Sequence, residues 1–256
     1  MIFIRSALFN LLFYLNTIVL MIVGLPTLLF GRHAVLRLAR TWARASLWLL
    51  GAICGTRTEF RGVDNIPKGA LLIAPKHQSF WETFALTLYF DDFAYVLKRE
   101  LTYIPFFGWY LLRAEQIAID RANGQTALRQ LTTKAKALFA EGRQLFIFPE
   151  GTRRPPGAPA AYKAGAAYVY DKTGVPCLPV ALNAGLFWPR RRFLRFPGTI
   201  LVEFLPPIAP GMKREAFLRE LQWRIETATD RLIAEAAGHE PQAAGPATKP
   251  SPRDLL

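Results

Sequence analysis

Residues 70–90 read "ALLIAPKHQSFWETFALTLYF". The opening "ALLIAP" is an apolar run without alternation, which suits a strand buried on both faces. The closing "FWETFALTLYF" suits a helix, and the polar "KHQS" between them forms a loop. Repetition of such a unit builds an α/β domain on a mainly parallel sheet, where ligands sit beyond the C-terminal ends of the strands. His77 stands at such an end. The chain has 3 histidines, and the other two, His33 and His239, lie in basic or tail-like surroundings.

The alternation continues outward from this unit. Strands are predicted at "FAYVLK" (93–98), "QIAID" (116–120), "QLFIF" (144–148), "VPCLPVAL" (175–182) and "TILVEFL" (199–205). Helices are predicted at "LTYIPFFGWYLLR" (101–113), at the amphipathic "GQTALRQLTTKAKALFAEG" (124–142), at "AYKAGAAYVYDKTG" (161–174) and over 213–237. The expected fold class is therefore α/β, a mainly parallel sheet flanked by helices over residues 57–237. Residues 238–256, rich in Pro, Ala and polar side chains, are expected to be a disordered tail.

Residues 1–56 differ in character. "ALFNLLFYLNTIVLMIVGLPTLLF", residues 7–30, carries no charged side chain and as a helix would extend ~36 Å, against a hydrocarbon core of roughly 30 Å. Asn10, Asn16 and Pro26 interrupt a simple span. A signal peptide is disfavoured, because the stretch is long and no small-x-small site follows it before the arginines. Arg5 precedes the stretch, while Arg32, Arg37, Arg40 and Arg44 follow it, which would put its C-terminal side in the cytoplasm. A second helix over 34–54 repeats arginines at helical spacing and fits an interfacial helix; a solvated helix packing on the domain is the alternative. The expectation is an N-terminal pair of membrane-associated helices.

Composition points the same way. The chain is 52% hydrophobic, with 19 Phe and 6 Trp, and carries a net charge of +13. A partner that is both apolar and anionic, such as an acidic membrane surface, satisfies both features. Nucleic acid would satisfy the charge alone. Cys54 and Cys177 are isolated, so neither a disulfide framework nor a metal site is expected.

Two stretches carry candidate chemistry. His77 and Glu82 are five apart, ~140° around a regular helix, and cannot pair on one helical face. They can meet if His77 lies in the loop and Glu82 in the next helical turn, giving a general base oriented by a carboxylate. The competing reading is that Ser79 and Glu82 form a capping box. The second stretch, "FIFPEGTRRPPG", ends a strand in a turn that presents Glu150, Gly151, Thr152 and Arg153. Glycine permits close backbone approach and arginine offers a forked donor for phosphate. Lys163, before the next helix, and Arg121, after "IAID", are further phosphate candidates, each also readable as a surface cation.

The ordered blocks "KHQSFWE", "IAIDR", "FPEGTR" and "VPCLPVAL" resemble those of the glycerolipid acyltransferases over roughly residues 55–210. That family has an aspartate where this chain has Glu82, one methylene longer. The resemblance implies acyl transfer from a thioester to the free hydroxyl of lysophosphatidic acid, giving phosphatidic acid. His77 would be the base and Glu82 its partner. Glu150, Gly151, Thr152 and Arg153 would form the phosphate and acceptor site, assisted by Arg121 and Lys163. It implies no bound cofactor and no metal, with acyl-CoA or acyl carrier protein as co-substrate. The partners expected are a phospholipid membrane and these substrates, not nucleic acid, at the cytoplasmic face of a bacterial inner membrane. The same chemistry on glycerol 3-phosphate or a lyso-ornithine lipid is an alternative, as is a non-catalytic basic membrane- or nucleic-acid-binding protein. The loop "FWPRRRFLRF" (187–196) interleaves Arg190, Arg191, Arg192 and Arg195 with aromatics. Lipid headgroups, an acidic carrier protein and plain solvent are all readings of it.

Overall fold

A computed structural model describes residues 1–120 and 124–238. In chain order the elements are α1 (Ile2–Val23), α2 (Arg32–Leu49), β1 (Thr56–Arg61), β2 (Leu71–Pro75), α3 (Glu82–Ala85), β3 (Phe93–Lys98) and α4 (Phe107–Arg113). There follow β4 (Ile117–Ile119), α5 (Gly124–Ala140), β5 (Gln144–Phe146), α6 (Ala164–Thr173), β6 (Cys177–Leu182), β7 (Gly198–Phe204) and α7 (Arg214–Ala236). The strands form one sheet in the order β1-β7-β6-β2-β5-β3-β4. All neighbours are parallel except β6 and β7. The expected α/β class holds.

β2 and β6 are buried along their whole lengths, which is why both read as unbroken apolar runs. Alternate β2 side chains feed opposite layers: Leu71 and Ile73 join Phe9, Phe13, Trp81 and Phe84, while Leu72 and Ala74 join the layer under α5, α6 and α7. β1 was not anticipated. Its sequence, "TRTEFR", is polar because it is an edge strand with one buried residue, Thr56.

Other boundaries moved for local reasons. Pro105 splits the apolar run 101–113 into a 3₁₀ segment over Arg99–Tyr103 and the helix α4. The helix after His77 is one α-turn that continues as a 3₁₀ turn over Leu86–Tyr89. α1 ends at Val23 ahead of Gly24 and Pro26, and a 3₁₀ turn over Leu25–Leu29 leads into α2.

The N-terminal helices share a core with the rest of the chain. Phe9 and Phe13 of α1 are buried against Trp188, and the Ser6 hydroxyl bonds the backbone of Arg195. The arginines of α2 divide in role. Arg32 pairs with Asp92, Glu115 and Glu141, and Arg40 with Asp91, so those two are spent within the protein. α1 is the one described helix long and apolar enough to cross a membrane, with a mean hydropathy of 2.0. The tail from His239 onward lies outside the described residues.

Candidate active site

β2 ends at Pro75 and delivers Lys76 and His77 into the loop above the sheet. His77 Nδ1 lies 2.9 Å from Glu82 Oε1. A carboxylate at Nδ1 holds the proton there and leaves Nε2 with a free lone pair. The same Oε1 accepts the backbone N–H groups of Gln78, at 2.8 Å, and Ser79, at 2.7 Å. Both sequence readings of Glu82 therefore meet in one oxygen, which orients the imidazole and receives the backbone half of a capping box. The other half is absent: the Ser79 hydroxyl donates to the Trp188 carbonyl at 2.7 Å and accepts the Trp81 N–H. The His77 ring stacks on Phe148, with centroids 3.9 Å apart.

The "PEGTR" turn closes over this loop from β5. Arg154 N–H donates to the His77 carbonyl at 2.8 Å, and His77 N–H donates to Glu150 Oε2 at 2.9 Å. Glu150, expected in the phosphate and acceptor site, is buried with its carboxylate on the loop that carries His77, and it is not among the described residues that line the cavity at His77. Its Oε1 accepts Lys76 Nζ at 3.0 Å, and Lys76 also reaches both oxygens of Glu226 in α7 at 2.8 Å. The Tyr162 hydroxyl completes the cluster by donating to Glu226 at 2.8 Å. Burial pushes the Glu150 carboxyl up, opposed by the Lys76 charge. Lys76 sits next to His77 in sequence, but nothing in the sequence announced Glu226 or Tyr162.

A cavity of about 1060 Å³ opens at His77. Gly151, Thr152, Arg153 and Lys163 line it. Gly151 adopts φ +65°, which favours glycine, and a Cβ there would lie 3.0 Å from the Lys163 side chain, which would have to shift by a few tenths of an ångström. The Arg153 guanidinium lies 5.7 Å from the centre of the Phe80 ring; its pKa is lowered, first by burial and further by the charges of Arg190 and Arg191, against the pull of Glu82. Arg190, Arg191 and Lys98 also line the cavity, and no Asp or Glu among the described residues does. Away from the cations the walls are mostly apolar, including Leu20, Leu36, Phe93 and Leu131, with Thr17, Thr83, Thr87 and Gln116 among them. Arg121 lies outside the described residues. No group of three His, Cys, Asp or Glu among the described residues is placed to hold a metal ion.

This geometry belongs to a known group. The family model of the acyltransferases matches residues 57–183. A 1-acyl-sn-glycerol-3-phosphate acyltransferase of Pseudomonas aeruginosa is 40% identical over 196 residues, covering 77% of this chain and 76% of that protein. The chloroplast enzyme of the same name from Arabidopsis thaliana is 29% identical over 221 residues, 83% of this chain and 60% of that protein. The crystal structure of the 1-acyl-sn-glycerophosphate (LPA) acyltransferase PlsC from Thermotoga maritima superposes with a TM-score of 0.78 at 25% identity, covering 91% of this chain and 98% of that one. On the strength of this identity and coverage, this chain belongs to the 1-acyl-sn-glycerol-3-phosphate acyltransferase family.

Proposed function

We propose that the protein transfers a fatty acyl chain from a thioester, acyl-CoA or acyl carrier protein, to the free hydroxyl of lysophosphatidic acid, yielding phosphatidic acid. The observation that carries this reading is the cavity itself. A His–Glu pair opens into an apolar space whose charged lining is cationic throughout. An acceptor with an anionic head and an acyl chain matches both properties.

His77 Nε2 takes the proton of the acceptor hydroxyl as that oxygen attacks the thioester carbonyl. The tetrahedral intermediate collapses by breaking the C–S bond, and the imidazolium returns its proton to the departing sulfur. The products are the new ester and a free thiol, with no acyl-enzyme. Glu82 keeps the proton on Nδ1 before attack and stabilises the imidazolium afterwards. Glu150 and Lys76 act as positioning residues that hold the His77 backbone.

Membrane attachment supports the supply of such an acceptor. α1 exposes Leu11, Leu15, Ile18 and Ile22 while its opposite side packs on the domain. The arginines that follow α1 favour the cytoplasmic face of a bacterial inner membrane for the catalytic domain. The test supplies labelled acyl thioester and lysophosphatidic acid to wild type and to His77→Ala in purified membranes. Wild type is expected to form phosphatidic acid, and His77→Ala to lose at least ~10²-fold while remaining folded. Full activity of the variant, or equal turnover of a phosphate-free acceptor by wild type, refutes the reading.

A further inference from the structure

We infer that Arg190 and Arg191 complete, together with Arg153, the site that holds the phosphate of the acceptor. This rests on the function proposed above and extends its binding site to a loop that lies beyond the matched residues 57–183.

Arg153, Arg190 and Arg191 all line one cavity, Arg190 and Arg191 lie close enough to act on the Arg153 charge, and among the described residues none of the three has a carboxylate within ion-pair distance. Their mutual repulsion is held in place by the chain. Arg190 Nη1 donates to the Arg153 carbonyl at 2.6 Å, which ties the loop to the "PEGTR" turn. Arg191 adopts φ +56° in the turn that follows Arg190, a conformation uncommon for a side-chain-bearing residue.

The loop is braced without any ligand. Arg195 Nη1 donates to the carbonyls of Arg192, Phe193 and Leu194 at 2.7, 3.0 and 3.0 Å, and its guanidinium lies 4.4 Å from the centre of the Trp188 ring. α1 anchors it from the other side: Asn10 Nδ2 donates to the Phe193 carbonyl at 3.1 Å, and the Ser6 hydroxyl accepts the Arg195 N–H at 2.9 Å. Cations gathered in advance around one cavity bind an anion with little reorganisation.

Connectivity selects which phosphate. In lysophosphatidic acid the reacting hydroxyl and the phosphate are on neighbouring carbons, so the phosphate must sit close to His77. Arg153 lines the same cavity as His77 and feels the charge of Glu82, the partner of that histidine. In a CoA or carrier-protein donor, the pantetheine arm separates the thioester from its nearest phosphate.

The test uses the full chain in detergent and compares wild type, Arg191→Gln, Arg190→Gln and Arg219→Gln, the last removing one charge from the exposed side of α7. For Arg190→Gln and Arg191→Gln, KM for lysophosphatidic acid should rise roughly 10- to 100-fold, as for loss of a charge-assisted contact, while the donor KM moves less than about twofold. Arg219→Gln should match wild type. Binding of glycerol 3-phosphate, read as a thermal shift, needs no turnover and should weaken in the same two variants. An unchanged acceptor KM with unchanged glycerol 3-phosphate binding overturns the inference, and so does a rise confined to the donor KM. If wild type makes no phosphatidic acid, the parent reading fails. The glycerol 3-phosphate shift then decides the anion site alone: its loss in Arg191→Gln upholds the site, and its persistence overturns it.

Discussion

Replacing Glu82 by glutamine isolates the charge of the proposed His77–Glu82 catalytic pair from its geometry. Glu82 is fully buried, and its Oε1 accepts three hydrogen bonds, from His77, Gln78 and Ser79. Oε2 has no hydrogen-bond partner, so an amide nitrogen in that position displaces no existing bond. The amide oxygen can keep all three donors, the imidazole tautomer survives, and only the negative charge beside the imidazolium is lost. The interaction of two unit charges about 4 Å apart at an effective dielectric near 20 is ~4 kcal/mol. At ~1.4 kcal/mol per tenfold in rate, kcat should fall about 10³-fold. Thiol release from acyl-CoA at saturating lysophosphatidic acid measures this directly, with far-UV circular dichroism to verify the fold. A folded Glu82→Gln protein within tenfold of wild-type kcat would show that the carboxylate charge does not stabilise the imidazolium.

Three further outcomes follow from the same contacts. Lys76→Met leaves Glu150 and Glu226 as neighbouring carboxylates without their shared cation, and urea denaturation should register a loss of about 3–5 kcal/mol; a loss below about 1 kcal/mol would deny the cluster its structural role. Gly151→Ala places a Cβ at positive φ against Lys163, so it should destabilise by about 1–2 kcal/mol and lower activity by disturbing the turn that carries Arg153; wild-type melting and activity would refute this. The Glu235 carboxyl is held below its ordinary value of 4.5, chiefly by hydrogen bonds from Arg61. Its contribution is complete above that pH and is lost as pH falls through the depressed folded value. Arg61→Gln should therefore remove less than about 1 kcal/mol at pH 7, because the pair is exposed, and progressively less on acidification; a difference that grows as pH falls would contradict the assignment.

Sequence and structure divide unevenly over the sheet and the site. β2 was legible because a strand buried on both faces must be apolar at every position. β1 was not, because an edge strand can carry arginine, glutamate and threonine and still pair fully with β7. The His77–Glu82 pair was legible because its partners are five residues apart, so a loop and one helical turn suffice to join them. Glu150 shows the opposite case. Its motif was recognisable, but its orientation depends on Lys76, 74 positions away, and on Glu226 in the last helix.

The basic loop 187–196 is the clearest division. Its charge and aromatic content were plain in the linear order, and they were compatible with solvent, lipid headgroups or an acidic partner. Only the tertiary structure brought Arg190 onto Arg153, through a hydrogen bond that spans 37 positions, with Arg191 lining the same cavity. By itself, the amino-acid order determined the alternating elements, the apolar N-terminal helix and the histidine–carboxylate unit, because each depends on residues within a turn or two. Folding decided which carboxylate pairs with His77 Nδ1 and which holds the backbone of its loop, and which arginines share one cavity. Those depend on strands and helices brought together from distant positions, where burial and charge pairing override what any local pattern can specify.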